Sequence, residues 1–338
     1  MKKRIILFAV ALLFLAGTAI AAALYFRDSE TPKAGANEGQ IANGAYYYHV
    51  QNSGVYRFTP ETRERTRVMP TSWHTIRGEK GWFGETSVFV DDYGLYYVSR
   101  APDGDSLFVR PHGTGQSRAL YQLARTPGSG LHRSITIDRL EAGLLTLHIS
   151  GDSLFLQMDG QSGEILRETR LDQPTTSVFF VGDLVYHAIY IGGHAGYRGL
   201  HLDGESILPP GKSYSGTEQF GDYLIVTFFY DGKEEWGNLL LTPDGDLWSI
   251  PSGFYLAKIE NVLLFQPQGE GLALYTYALQ TGKILRVHEG KQIWRAVTDG
   301  VHLYTIAHWD MGERTDCWKL LFDDTGVLIG LELLAADV

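Results

Sequence analysis

Cysteine is nearly absent from this sequence, since Cys317 is the only one in 338 residues. A disulfide within the chain is therefore excluded. A lipoprotein anchor is excluded as well, because no cysteine follows the N-terminal apolar run. Cys317 lies in the segment TDCWKLLF, where we expect a small buried side chain in a strand. A reactive thiol is the alternative.

Common catalytic and ligand-binding motifs are also missing. The chain has no GxSxG, HExxH, paired CxxC or glycine-rich phosphate loop, and its 11 histidines show no metal-ligand spacing. Residues 242–248, TPDGDLW, approach the Asp box of sialidases, but the glycine is misplaced and a hairpin turn explains the PDGD. We therefore predict no catalytic residue, no metal site and no cofactor.

Acidic residues outnumber basic ones, so the formal net charge is −10, and three of the basic residues, Lys2, Lys3 and Arg4, lie in the N-terminal tail. An acidic body disfavours binding to nucleic acid, so we expect no nucleic-acid partner. Long blocks of helix-forming residues are absent after residue 26. Aromatic residues and glycine are both frequent, which is typical of many short strands joined by tight turns.

The N-terminus contains the one long apolar run, residues 5–26, behind a basic tail at 1–4. As a helix this run would be about 33 Å long, enough to cross a bilayer core of about 30 Å. We predict a signal anchor that holds the rest of the chain outside the cytoplasm, at the cell surface or in the periplasm. The alternative is a signal peptide cleaved near Ala21, which would release a secreted protein. Residues 27–40 are polar and are expected to form a flexible tether.

The rest of the chain, residues 41–338, repeats one unit seven times. Short turns occur at Gly44, Gly94, Gly143, Gly182, Gly221, Asn261 and Gly300, at intervals of about 40 residues, or about 50 for the first two. Each turn follows one short strand and precedes others; Glu260–Gly290 contains three in succession. This period predicts an all-β fold, a seven-bladed β-propeller of four-stranded antiparallel blades, preceded by one N-terminal transmembrane helix. Whether residues 40–41 or the C-terminal LELLAADV close the ring stays open.

The segment 274–287, LYTYALQTGKILRV, resembles the repeat of pyrroloquinoline-quinone-type bacterial propellers. Residues 154–168 and 55–68 are weaker copies, and the likeness extends to uncharacterised exported propellers of Gram-positive bacteria. The final Trp of the family pattern is replaced here by Arg286-Val287, and by Arg167 in the third unit. The adjacent Cys pair and the eight-blade length of the quinone dehydrogenases are missing, which argues against quinone binding. The resemblance thus implies the fold.

Aromatic and basic residues are concentrated in the connections between second and third strands and between blades. In a propeller these connections share one end of the ring, where ligands and partners commonly bind. Rings that plug the channel or cover blade ends are the alternative interpretation. The candidate binding residues are Trp73, His74, Arg77, Trp82, His132, Arg133, His194, Tyr197, Trp236, Trp294, His308 and Trp309.

These observations favour a membrane-tethered, extracytoplasmic binding or scaffold module without catalytic activity. The expected partner is a protein or a cell-envelope glycan. The alternative is a hydrolase or lyase acting on sugars or peptides, with acidic residues from several blades converging at the channel mouth. Residues so distant in sequence cannot be paired without a fold.

Overall fold

The computed structural model describes residues 39–50, 54–70, 74–76, 79–81, 88–101, 103–124, 133–171, 175–191, 197–230, 235–268, 273–289, 293–309, 312–323, 327–336 and 338. Within these ranges no helix is long and apolar enough to cross a membrane. The predicted tail (1–4), anchor (5–26) and most of the tether (27–40) lie outside the described residues.

The described strands form the seven predicted blades, each antiparallel and ordered as in the sequence. Blade 1 contains β1 (Gln40–Ala42), β2 (Ala45–Val50), β3 (Gly54–Thr59) and β4 (Glu64–Pro70). The connection to blade 2 contains a small hairpin of β5 (His74–Ile76) and β6 (Glu79–Gly81). Blade 2 contains β7 (Val88–Val90), β8 (Gly94–Ala101), β9 (Gly104–Pro111) and β10 (Arg118–Ala124). Blade 3 contains β11 (Ser134–Glu141), β12 (Leu144–Ser150), β13 (Leu154–Asp159) and β14 (Ile165–Arg170).

The remaining blades follow the same plan. Blade 4 contains β15 (Thr175–Val181), β16 (Leu184–Ile191), β17 (Tyr197–Leu202) and β18 (Glu205–Ser206). Blade 5 contains β19 (Lys212–Phe220), β20 (Tyr223–Tyr230), β21 (Trp236–Leu241) and β22 (Leu247–Ile250). Blade 6 contains β23 (Gly253–Ile259), β24 (Val262–Pro267), β25 (Ala273–Ala278) and β26 (Ile284–Glu289). Blade 7 contains β27 (Ile293–Thr298), β28 (His302–Trp309), β29 (Gly312–Phe322) and β30 (Leu328–Ala335).

The apolar faces of the blades are buried against one another, with one hydrophobic cluster at each of the seven junctions between neighbouring blades. A single four-stranded sheet could not bury both of its faces, so the circular arrangement supplies each blade with two partners. The predicted closed ring is therefore confirmed. The junction of blades 3 and 4 has the smallest core, built on Phe155, Val178 and Phe180.

Among the described strands, none from one end of the chain joins the blade at the other end. Blade 1 is built entirely from β1–β4 and blade 7 entirely from β27–β30, so the ring closes through side chains. At this junction the rings of Tyr46 and Tyr304 stack with centroids 4.4 Å apart. Cys317 in β29 is fully buried in the same cluster, as predicted, and burial raises the pKa of its thiol to about 11. An inert structural cysteine fits this position.

Blade 4 departs from the common plan, because its fourth strand, β18, has only two residues. The outer edge of β17 pairs instead with the first strand of blade 5, where Arg198 lies opposite Tyr214. Blades 4 and 5 thereby form one continuous eight-stranded sheet. Four strands were predicted for every unit, but the sequence analysis did not locate the fourth strand of this one.

The innermost strands of blades 3 to 7 share a further feature, a one-residue β-bulge. The skipped residues are Asp138, Thr176, Ser215, Leu256 and Trp294. A bulge leaves one residue without a ladder partner and turns the strand locally. Because the first strands line the central channel, these bulges interrupt the regular alternation along its wall.

Candidate functional site

The two ends of the ring differ in the connections they carry. The turn end contains the hairpins between first and second strands, and the loop end contains the connections between second and third strands and between blades. Of the predicted binding residues, His74, Tyr197, Trp294, His308 and Trp309 have described positions in strands but no described side chains. Outside the described residues lie Trp73, Arg77, Trp82, His132 and His194. For these ten residues the prediction stays a prediction.

Arg133 immediately precedes β11 at the loop end of blade 3. Its guanidinium forms an ion pair and a hydrogen bond with the carboxylate of Asp152, in the connection between β12 and β13. Both side chains are partly buried. Arg133 thus joins two connections of the same blade through one terminal nitrogen, Nη2, of its guanidinium.

Trp236 begins β21 at the loop end and lies within a group of exposed aromatic rings. It is directly opposite Phe229 in the register of β20 and β21. Its ring also contacts that of Phe254 in blade 6, with centroids 5.0 Å apart and planes inclined by 52°. Phe229 is 43% exposed and Phe254 is 62% exposed. We call Phe229, Trp236 and Phe254 the aromatic wedge.

Two members of the aromatic wedge, Phe229 and Phe254, were not among the predicted site residues. Both lie within the apolar segments YLIVTFFY and GFYLAKI, where period-2 alternation allows either face to be buried. Their exposure depends on where each strand ends relative to the neighbouring blade. The sequence signal that pointed toward the site was Trp236 in a short connection.

The middle of the channel contains a cavity of about 430 Å³, which we call the mid-channel cavity. Charged side chains reach it from three first strands: Asp138 and Arg139 from β11, Glu218 from β19, and Arg295 from β27. Asp138, Glu218 and Arg295 are all exposed to water within the channel. These residues are far apart in sequence, and no sequence pattern links them.

Water reaches the side chains of Asp138 and Glu218, but protein surrounds them on most sides, and this partial desolvation changes the ionisation of both carboxyl groups. Desolvation raises the pKa of Asp138 to about 6, and the nearby Arg139 opposes this only in part. Desolvation also raises the pKa of Glu218, against the opposing charges of Arg295 and Arg139. The mid-channel cavity therefore combines two carboxyl groups of raised pKa with two guanidinium groups.

A second cavity of about 450 Å³ lies next to it, toward the turn end. Its lining includes Glu141, Lys258 and Gln219. Gln219 connects three blades: it accepts a hydrogen bond from Arg139 of blade 3 and donates to the carbonyl oxygen of Phe180 in blade 4, at 2.9 Å. The Glu141 carboxylate likewise accepts a hydrogen bond from the backbone N–H of Gly221, from blade 3 to blade 5. This network makes the turn end of blades 3 to 5 a structural unit.

A metal site is not suggested by the residues that the structure describes, because none of their His, Cys, Asp and Glu side chains form a group of three or more ligands. The positions of the carboxyl groups instead allow hydrogen bonding to a polar ligand in the channel. The aromatic wedge allows apolar contact at the loop end. These are the two candidate sites of the ring.

Comparison of the sequence with protein-family models finds no match, and comparison with curated proteins finds none either. Solved structures do match. The propeller domain of the Trilobed protease from Pyrococcus furiosus, described as having an open velcro topology, aligns with a TM-score of 0.56 at 11% identity, over 90% of this chain and 98% of that one.

Two enzymes are similar over the same region. An acylaminoacyl peptidase from Pyrococcus horikoshii aligns with a TM-score of 0.54 at 13% identity, covering 91% of this chain and 53% of that one. A puromycin hydrolase aligns with a TM-score of 0.53 at 13% identity, covering 90% and 54%. The chain thus spans about half the length of these two proteins. At such identities the likeness establishes one conclusion, that this chain has a seven-bladed β-propeller fold.

Proposed function

We propose that this chain is a non-catalytic binding or scaffold propeller. Residues 5–26 tether it to the membrane, and the propeller lies outside the cytoplasm. Its partner binds at the loop end, on the aromatic wedge. The observation that carries this proposal is the exposure of Phe229 and Phe254 beside the half-buried Trp236.

The exposure is informative because all three rings lie on rigid β-strands. Phe229 lies directly opposite Trp236, and the ring of Phe254 contacts the ring of Trp236. The three side chains therefore form a continuous apolar surface rather than scattered single residues. Large aromatic side chains held by a scaffold lose little entropy on binding, and such residues dominate the energy of many interfaces. A surface of this kind supports recognition of a partner.

The inclination of the rings favours a protein partner over a glycan. The ring planes of Trp236 and Phe254 are inclined by 52° and so form an angle rather than one flat plane. An apolar side chain of a partner can enter such an angle, whereas a sugar ring stacks best on a flat surface. The cell-envelope glycan is therefore the alternative partner that the experiment must distinguish.

Partner capture tests this proposal. The full chain and its Phe254→Ser variant are each crosslinked in the native envelope, and captured proteins and glycans are identified. Trp248→Ser is the matched control, because Trp248 is also 45% exposed but lies on the outermost strand of blade 5. We expect Phe254→Ser to lose a specific protein that wild type and Trp248→Ser retain. Equal capture by all three chains would remove the aromatic wedge as the binding site.

The location of the propeller requires a separate measurement. A reporter active only outside the cytoplasm, fused after Val338, should be active and should remain with the membrane fraction. Activity in the medium instead would support cleavage near Ala21. A cytoplasmic reporter would contradict the proposed orientation.

The hydrolase or lyase alternative retains one specific observation in its favour. Asp138 and Glu218 line the same cavity, and both have a raised pKa, as a general acid requires. Chromogenic glycosides and aminoacyl anilides would test it. Turnover by the wild-type chain that is abolished in both Asp138→Asn and Glu218→Gln would replace the non-catalytic proposal.

A further inference from the structure

The mid-channel cavity contains charged groups that the aromatic wedge does not involve. The side chain of Arg295 has no hydrogen bond or ion pair within the described part of the chain, and the same is true of the side chains of Asp138 and Glu218. Arg139 differs from them, because its guanidinium donates to Gln219 and lies 5.3 Å from the centre of the Phe179 ring. The cavity therefore contains one guanidinium and two carboxyl groups whose hydrogen bonds are still available, although Arg295 and Arg139 act on Glu218 electrostatically.

Asp138, Glu218 and Arg295 are exposed to water in the channel, so a ligand that enters the cavity can reach all three charged groups. Arg295 offers a planar fork of donors that suits a carboxylate. Asp138 and Glu218 offer acceptors that suit an ammonium group. With Arg139 included, the four charged side chains carry no net charge, so they select a ligand with both charges rather than a simple anion or cation.

We propose that the mid-channel cavity binds a small zwitterion of the amino-acid or short-peptide type, with its carboxylate on Arg295 and its ammonium group on Asp138 and Glu218. A volume of about 430 Å³ accommodates a ligand of this size. The bulge in β11 supports the site, because it releases Asp138 from the ladder and leaves its side chain in the channel. Val297 and Leu256 supply apolar lining beside these charges.

Three rival ligands fit less well. A dication such as a diamine would find the two carboxyl groups but would also face Arg295. A metal ion would require a third His, Cys, Asp or Glu ligand, and the described residues provide no such group. A dicarboxylate would be repelled by Asp138 and Glu218. Of these ligands, only a zwitterion offers an anionic group to Arg295 and a cationic group to Asp138 and Glu218.

Calorimetric titration of the full chain tests the proposal with defined probes. These are glycine, L-alanyl-L-alanine and L-alanyl-L-alanyl-L-alanine, which differ in the separation of ammonium and carboxylate. N-acetyl-dialanine lacks the ammonium group, dialanine amide lacks the carboxylate, and putrescine is a pure dication. We expect at least one zwitterion to bind at least tenfold more tightly than its blocked forms, because each blocked form lacks one of the two charged groups that form charge-assisted hydrogen bonds.

Two variants test which side chain binds each charged end of the ligand. Arg295→Gln should weaken the zwitterion at least tenfold and leave the weak binding of dialanine amide unchanged. Asp138→Asn should do the converse, weakening the zwitterion while sparing N-acetyl-dialanine. Lys258→Gln is the matched control, because Lys258 lines the adjacent cavity and its ammonium group lies over the Tyr223 ring. Thermal melts confirm that each variant is folded.

The possible results separate this inference from the proposed function. Binding of putrescine or of N-acetyl-dialanine as tightly as the zwitterions would overturn it, and so would no heat from any zwitterion at millimolar concentration. Phe254→Ser should leave zwitterion binding unchanged. The aromatic wedge and the mid-channel cavity can therefore fail independently.

Discussion

Ring closure depends on the stacked pair Tyr46 and Tyr304, and replacing Tyr46 tests how much that pair contributes. Both side chains are fully buried at the only junction that joins the two ends of the described chain. Tyr46→Ala removes about 200 Å² of buried surface, worth about 5 kcal/mol of transfer free energy. Large-to-small aromatic replacements in cores cost about 3–5 kcal/mol. We expect Tyr46→Ala to lower the free energy of unfolding by about 4 kcal/mol.

The hydroxyl groups predict a different result for Tyr46→Phe. The Oη atoms of Tyr46 and Tyr304 and the Oγ1 of Thr315 are buried without a hydrogen bond of acceptable geometry. Burial of an unsatisfied hydroxyl costs about 1–3 kcal/mol, so its removal relieves part of that cost. We expect Tyr46→Phe to leave stability unchanged or to raise it by about 1 kcal/mol.

Tyr96 provides the matched control. It occupies the same position as Tyr46, two residues after the turn glycine of its unit, and it is equally buried. Its hydroxyl donates to the Asp91 carboxylate at 3.0 Å. Tyr96→Phe should therefore cost about 1–2 kcal/mol, opposite in sign to Tyr46→Phe.

Denaturant unfolding measures these differences, and thermal melts give a second reading. For a domain of about 300 residues, 4 kcal/mol corresponds to a Tm shift of about 6 °C. Hydrogen exchange shows where the ring is weakened, because loss of closure should reduce the protection of backbone amides in blades 1 and 7 first. If Tyr46→Ala costs less than about 1 kcal/mol, or if Tyr46→Phe destabilises as much as Tyr96→Phe, the account of closure is refuted.

Three further predictions concern other parts of the ring. Arg167 donates to the carbonyl oxygen of Gly182 and to the exposed Asp183, each at 3.0 Å, across the junction with the smallest core. Arg167→Ala should cost about 1–2 kcal/mol in denaturant unfolding, whereas removing the fully exposed Asp183 carboxylate should have no measurable effect; equal costs would contradict this assignment. The pKa of Asp138 is about 6 in the folded chain and 3.8 in model peptides. Ionisation of Asp138 therefore lowers the free energy of unfolding, with a cost that develops between about pH 4 and pH 6, is complete above about pH 6 and is absent below about pH 4. Asp138→Asn should therefore stabilise the chain at pH 8, by only about 1 kcal/mol because the group is water-accessible, and not at pH 3.5; a stabilisation that persists at pH 3.5 would exclude the ionic explanation. The thiol of Cys317 should resist iodoacetamide in the native state at pH 8 and react on unfolding, and rapid native labelling would show that the core of blade 7 opens readily.

Much of the strand pattern could be predicted from local sequence. Segments such as LVYHAIYI and YLIVTFFY coincide with β16 and β20, because alternating β-branched and aromatic residues bounded by turn residues are sufficient to define a strand. The shortness of β18 was not predicted, since it pairs with only two residues of β17, and β17 also pairs with β19 of the next blade. The hairpin β5–β6 was missed within a connection expected to be a loop.

The candidate sites were less accessible to sequence reasoning. Trp236 was identified because a tryptophan in a short connection is conspicuous, yet Phe254 belongs to an ordinary apolar strand pattern. Asp138 and Glu218 lie 80 residues apart in the sequence, and no local sequence pattern relates them. Their proximity to one cavity depends on the angular positions of blades 3 and 5 around the ring.

By itself, the sequence determined the seven-fold repeat, the four-stranded antiparallel unit and the burial of Cys317, because each depends on residue types at short range. The tertiary structure decided how the ring closes, which aromatic rings are exposed and which charges face the channel. The physical reason is that these properties depend on contacts between blades, such as Tyr46 with Tyr304, which join residues more than 250 positions apart. Period and composition specify the blade, whereas packing around the circle specifies the surfaces that can bind.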